Sequence, residues 1–222
     1  MTNKINDYYQ NLYSNEEENY NANGHKFKHL YNGRVKLVKN MLLNIEKVEH
    51  KVLDAGCGNG LFFQDAIKNN LQMSKCDGID LLEEAVNLSI NKYDEIYCGS
   101  TVELSKYFKT KYTFISSMEI FTYISPKDRK KFFSEHIDLL EKDGYFLLTV
   151  TNLKSIYRKV IKPEPLLFPY YFDKKLILEE IKQFDVDLVA VKGVDIFNFI
   201  HDSSSLSDFF MYELSFLFKK KS

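Results

Sequence analysis

The chain has little cysteine, little proline, almost no net charge and no long apolar run. Three cysteines in 222 residues, Cys57, Cys76 and Cys98, form neither a pairing pattern nor a metal-ligand spacing. A disulfide scaffold and a zinc module are set aside, and a reducing cytoplasm is the natural setting. Thirty Lys and Arg against 31 Asp and Glu give a net charge of −1, so neither nucleic acid nor an anionic membrane is expected as a primary partner. The basic tail Lys219-Lys220-Lys221 is read as solvated. No segment approaches the roughly twenty apolar residues that a membrane span requires, and Met1–Asp7 lacks the apolar centre of a signal peptide. Three of the four prolines fall in one stretch, 163–169. No repeat or low-complexity linker interrupts the chain, and one domain over 1–222 is expected.

The densest pattern present is Lys51-Val52-Leu53-Asp54-Ala55-Gly56-Cys57-Gly58-Asn59-Gly60. A short apolar run, an acid and three alternate glycines are followed by the helical Leu61–Lys68. A strand, a tight turn and a helix start present backbone to a nucleotide-like ligand. A dinucleotide fingerprint needs glycine at 61, where this chain has leucine, and Asp54 sits where a pyrophosphate would need positive charge. A carboxylate there suits a ligand with an amine and no phosphate, as in S-adenosylmethionine. A second acid, Asp80, ends the run Cys76–Asp80 and is placed to accept hydrogen bonds from a ribose diol. Its bland alternative is capping of the helix that follows.

Strands are expected near 51–55, 75–79, 94–98, 112–117 and 144–150. Helices are expected near 4–18, 27–44, 61–69, 82–91, 101–108, 126–140 and 173–184. The alternation predicts an α/β fold with a doubly wound, Rossmann-like sheet. Two further β-like runs, 187–194 and 209–218, close the chain. The divisions are a helical cap over 1–45, a cofactor-binding half over 46–150 and a substrate-side half over 151–222 with an aromatic insertion at 157–172.

The motif at 52–60, with Gly78-Ile79-Asp80, Gly99-Ser100-Thr101 and Phe114–Ile120, resembles those of the class I S-adenosylmethionine-dependent methyltransferases over nearly the whole chain. Gly33–Leu37, Thr101-Val102-Glu103 and Ser117–Ile120 resemble most the ubiquinone-biosynthesis O-methyltransferases and similar small-molecule enzymes. The resemblance implies a seven-stranded, mostly parallel sheet with an antiparallel edge strand at the C-terminus. It also implies S-adenosyl-L-methionine as cofactor, held by Arg34, Gly56, Asp80 and Met118, with Arg34 on the methionine carboxylate. Asp54, Cys57, Gly58, Leu81, Ser100, Thr101 and Ser117 complete the expected cofactor set, Ser100 on the adenine. Where that branch continues with a Glu-His pair this chain has Thr122-Tyr123, so no metal site is expected and quinone specificity is not carried over.

Methyl transfer to a small-molecule acceptor follows, most simply to a hydroxyl or phenol oxygen by in-line displacement. An amino group such as that of an amino sugar is the next choice, and a non-catalytic cofactor-binding partner protein a third reading. Glu119, after the fourth strand, and His201, in a loop near the cap, are the candidate bases. His136, mid-helix, is read as structural. Tyr9, Tyr13, Tyr123, Tyr157, Tyr170 and Tyr171 are expected to line the acceptor site, since aromatics with a polar tip can bury and orient an organic molecule. The segment 8–31 is expected to close over the cofactor through Arg34, and a homodimer stays open.

Overall fold

The computed structural model describes residues 28–156, 170–204 and 206–222. All its strands join one sheet: β1 (His50–Ala55), β2 (Met73–Asp80), β3 (Glu95–Cys98), β4 (Tyr112–Met118), β5 (Leu140–Thr151), β6 (Val186–Asp195), β7 (Ile200–Asp202) and β8 (Met211–Lys220). Their spatial order is β3-β2-β1-β4-β5-β8-β6-β7. The first five pair in parallel and the last three antiparallel.

The helices are α1 (Lys28–Leu42), α2 (Leu61–Phe63, continued by a wider π-helical turn, Gln64–Lys68), α3 (Glu83–Ser89), α4 (Arg129–Leu139) and α5 (Lys174–Ile181). The side-chain period of two splits each central strand between two cores. Leu53, Ile79, Ile115, Phe146 and Leu148 join Phe132, Phe133, Ile177 and Ile181 of α4 and α5 on one face. Val52, Phe114, Tyr145 and Leu147 meet Val38 and Met41 of α1 and Phe63 and Ile67 of α2 on the other. Strands covered on both faces read as continuous apolar runs, and each fully buried Leu or Phe contributes about 1.5–3 kcal/mol. Asp173 caps α5 by accepting from the Leu176 amide at 2.9 Å, worth about 1 kcal/mol.

The sheet has eight strands rather than the seven expected, and its C-terminal strand is not at the edge. β8 lies between β5 and β6, and Met211 through Phe218 are all buried. That unbroken burial, in a run apolar but for Glu213 and Ser215, is the signature of a strand covered on both faces, whereas an edge strand would alternate or carry several charges. The expected helix over 101–108 is only a 3₁₀ turn at Leu104–Lys106. Thr101 and Val102 are β-branched, and Ser100 Oγ takes the Val102 amide at 3.4 Å, which favours a turn. The expected loop at 195–202 is a hairpin that adds β7 to β6. The expected helix at 4–18 lies outside the described residues.

Candidate active site

The carboxyl ends of β1, β2 and β4 converge on a cleft with two lobes. Tyr31, Arg34, Asp54, Gly56, Gly58, Phe62, Asp80, Leu81, Met118, Glu119, Tyr123, Thr149 and Glu213 are among the residues lining the larger lobe. Ser100, Thr101, Val102, Ser125 and Asp128 line the smaller one. Gly56, Asp80, Leu81, Ile120 and Tyr123 border both. This is the crevice at the strand ends where open parallel sheets bind ligands.

The floor is the glycine turn. Gly56, Gly58 and Gly60 have φ of 89°, 54° and 75°, a region a side chain enters only with strain. A Cβ on Gly56 would also collide with the Ile120 side chain. The turn is tied to β2, because the Gly56 and Cys57 amides donate to the Ile79 carbonyl at 2.8 and 3.0 Å. The Gly58 amide donates to Asp80 Oδ2 at 2.9 Å, and the other Asp80 oxygen accepts from Leu82 at 3.0 Å. Asp80 therefore braces the turn and the start of α3 together. A carboxylate has about four lone-pair positions, so both oxygens retain capacity for a diol. Burial raises the Asp80 carboxyl above its usual range, against the pull of those amides.

Asp54 is buried and accepts from Tyr93 Oη and Ser116 Oγ, each at 2.8 Å. Burial pushes its carboxyl up to about 6, opposed by the two hydroxyls. Cys57 also lines the cleft, but burial holds its thiol well above the ordinary value, and the un-ionised thiol is a poor nucleophile.

Arg34, from the middle of α1, enters the larger lobe between two acids. Its Nε meets Glu213 of β8, and Nη2 lies 3.6 Å from Glu119 Oε2. Burial works against the charge, and Glu213 and Glu119 overcome it to hold the guanidinium above its usual pKa. α1 lies this close because Gly33 leaves room for Asn198 and Tyr212, and Tyr212 Oη donates to the Leu30 carbonyl at 2.8 Å.

Glu119 has φ 61°. The other described non-glycine residues in that region are Asp143 and Asn198, residue types that tolerate it; a glutamate does so less readily. Thr149 and Thr151 of β5 hold it there. Thr149 Oγ1 accepts from the Glu119 amide at 2.9 Å, and Thr151 Oγ1 donates to Glu119 Oε2 at 2.7 Å. The second oxygen, Oε1, is buried with no hydrogen-bond partner among the described residues.

Of the expected cofactor residues, Arg34, Asp54, Gly56, Cys57, Gly58, Asp80, Leu81 and Met118 line the larger lobe, and Ser100 and Thr101 the smaller. Ser117 does not: its side chain points to the opposite face of β4 and is fully buried. Glu119 and Tyr123 lie in the cleft. His201 does not, since it sits on β7 with Nε2 3.0 Å from Asp195 Oδ2. Tyr170 packs over Arg129, 5.1 Å from ring centroid to guanidinium, and neither it nor Tyr171 lines either lobe. Tyr9, Tyr13 and Tyr157 lie outside the described residues, as does the segment 8–27. His136 is buried against Phe132 and Phe146, and burial lowers its pKa to about 4.

Glu213, Thr149 and Phe62 were not anticipated. For Glu213 a signal was available, because a lone acid inside the apolar run Phe209–Phe218 needs a partner when buried.

S-adenosylmethionine fits what is here. The turn offers backbone without side chains, and two buried acids, Asp54 and Asp80, stand at the cleft with hydrogen-bonding capacity suited to an amine and a diol. Among the described lining residues the single cation is Arg34, which leaves a polyphosphate without adequate counter-charge. The description of the family whose model matches residues 27–190 is a methyltransferase domain. No curated protein matches the chain. Among solved structures, the N-methyltransferase NodS of Bradyrhizobium japonicum with S-adenosyl-L-homocysteine aligns with TM-score 0.68 at 10% identity, over 98% of this chain and 99% of that one. A possible histamine N-methyltransferase of Thermotoga maritima gives 0.70 at 14%, over 98% and 99%. The magnesium protoporphyrin IX methyltransferase of Synechocystis gives 0.65 at 13%, over 99% and 95%.

Proposed function

The chain belongs to the methyltransferase-domain family, and from that premise we propose that it methylates a small organic acceptor in the cleft above β1, β2 and β4. It is an S-adenosylmethionine-dependent methyltransferase. The observation that carries the acceptor reading is the cleft itself, a cavity of about 180 Å³ in its larger lobe. Small-molecule sites are concave, with a few placed polar groups on apolar walls. One domain over 1–222, with 1–45 as a cap, is the arrangement that suits this reading.

The roles of the side chains follow from their places. The Gly56–Gly60 turn carries the adenosine portion on backbone. Asp80 takes the ribose hydroxyls, and Ser100 and Thr101 line the lobe left for the base. Asp54 faces the amine, and Arg34 meets the carboxylate through the part of its guanidinium that Glu213 does not hold. The cofactor supplies a methyl group already activated by the sulfonium. The protein's share is to hold the acceptor at attack distance, worth up to roughly 7–11 kcal/mol for well-oriented reactants. A hydroxyl or phenol acceptor would also need a base, and with His201 outside the cleft that task falls to Glu119. The likeness to the ubiquinone-biosynthesis branch remains one of motifs.

Two measurements test the reading. Calorimetry should show S-adenosylmethionine and its demethylated product binding between roughly 1 μM and 1 mM, with no NAD binding. Radiolabelled methyl should then enter a small molecule from an acceptor pool. NAD binding without S-adenosylmethionine binding would sink the cofactor assignment. Binding without transfer to any pool would leave a cofactor-binding partner protein as the better description.

A further inference from the structure

We propose that Glu119 is the anionic anchor for a cationic acceptor, so that the molecule methylated is a primary or secondary amine. The inference rests on the methyltransferase reading above and names the substrate class of that same cleft.

Charge matching leads to it first. The larger lobe holds four acids, Asp54, Asp80, Glu119 and Glu213, and one cation, Arg34. Each acid but Glu119 is fully engaged within the protein or toward the cofactor. Asp54 faces the amine and Asp80 the ribose, while Glu213 grips Arg34 Nε from the buried centre of the sheet. Glu119 approaches Arg34 only at 3.6 Å, beyond hydrogen-bond length. Its Oε1 is buried and has no hydrogen-bond partner among the described residues. A buried acceptor atom without a donor is destabilising, and an ammonium N–H is a donor that would remove that cost.

Conformation agrees with this. The carboxylate is held in the cleft by a backbone at φ 61° and by hydroxyls from two positions of β5. A strained residue fixed from two sides is what pre-organised binding requires.

The bookkeeping of the reaction distinguishes nitrogen from oxygen. An ammonium bound to Glu119 first gives up one proton, through the carboxylate to water, and exposes its lone pair. The nitrogen forms a bond to the methyl carbon as the carbon–sulfur bond breaks, and that electron pair stays on sulfur. Positive charge thereby moves from sulfur to nitrogen and does not vanish, so a fixed anion beside the path stabilises the cation before, during and after transfer. A methylated alcohol ends neutral and would leave Glu119 with only the distant guanidinium of Arg34 to answer it.

Sinefungin, which carries an amine where the cofactor carries its sulfonium methyl, probes the transfer point directly without knowledge of the acceptor. Calorimetry on the full chain should show sinefungin binding about ten- to a hundredfold more tightly than S-adenosylhomocysteine, the scale of one charge-assisted hydrogen bond. In Glu119→Gln that preference should collapse while S-adenosylhomocysteine affinity stays within about threefold, well below that scale. Thr151→Val, which frees Oε2 outside the cleft, should reduce the preference partially and serves if Glu119→Gln does not fold. A wild-type preference that is absent, or one that survives both substitutions, overturns the proposal. Failure of both ligands to bind overturns the cofactor reading and the proposal together. An acceptor that takes the methyl on oxygen overturns the substrate class alone.

Discussion

Two pairs of acids face the larger lobe of the cleft, and they are built in opposite ways. Asp54 and Asp80 stand at the tips of neighbouring parallel strands, and their partners in the protein are neutral hydroxyls and backbone amides. Glu119 and Glu213 come from β4 and β8 and share one arginine carried by α1. The first pair is an invitation to a cation, since burial raises both carboxyls and no cation among the described residues acts on them. The second pair is already partly answered from within. One end of the cleft is thus pre-set to receive charge, and the other is balanced around Arg34 so that a small change in charge is felt.

The sharpest way to break the first end is at its floor. Gly56→Val should add strain of about 1–3 kcal/mol at φ 89° to an overpacking cost of similar size against Ile120. Calorimetry should show no cofactor binding, and thermal melting should show a lowered midpoint. At the second end, Glu213→Ala should leave Arg34 beside an empty, buried site. Breaking a fully buried pair costs about 3–5 kcal/mol. The Arg34 side chain is 28% exposed, so denaturant titration should find a loss near the lower end of that range.

Asp80→Ala removes the proposed ribose acceptors and one tie of the glycine turn. Cofactor affinity should fall several-fold to a hundredfold, about 1–3 kcal/mol, by calorimetry. Asp54 separates stability from binding through pH. Its carboxyl is raised to about 6, so between about pH 4 and 6 the folded chain keeps a proton that the unfolded chain releases. The stability Asp54 contributes is complete at the acid end and is lost as pH rises through 6. Cofactor affinity should run the other way, because the amine needs the ionised form. It should rise about tenfold from pH 5 to 7.5, and Asp54→Asn should flatten that rise. The smallest effect belongs to His201→Ala. With the ring on Asp195 outside the cleft, cofactor affinity should match wild type.

What could be read in the chain beforehand divides along the same line. Asp54, the glycines and Asp80 lie within thirty positions of one another, and their roles follow from strand, turn and spacing, which are local. The Arg34–Glu213 pair joins residues at opposite ends of the described chain, and no local pattern predicts which strand lies beneath α1. Ser117 was misplaced because two serines in a row leave the facing of a strand undecided, and only the packed sheet shows that Ser116 reaches Asp54. His201 was misplaced because Ile200-His201-Asp202 is too short and polar to announce a strand; its pairing with Gly193 comes from the hairpin.

The place of β8 also sets an order in time. β5 and β6 are not paired; β5 is held by β4, and β6 reaches β5 only through β8, which follows both in sequence. While residues 211–220 are still unmade or unfolded, β5 keeps an open edge and the β6–β7 hairpin has no strand of the sheet to pair with. Non-local strand pairing of this kind is slow and leaves sticky edges while it waits. The strand that closes the sheet also delivers Glu213 to Arg34, so the cleft receives its final charge in the same event that completes the fold. A nascent chain cannot assemble the arginine end of its cleft ahead of its structural completion.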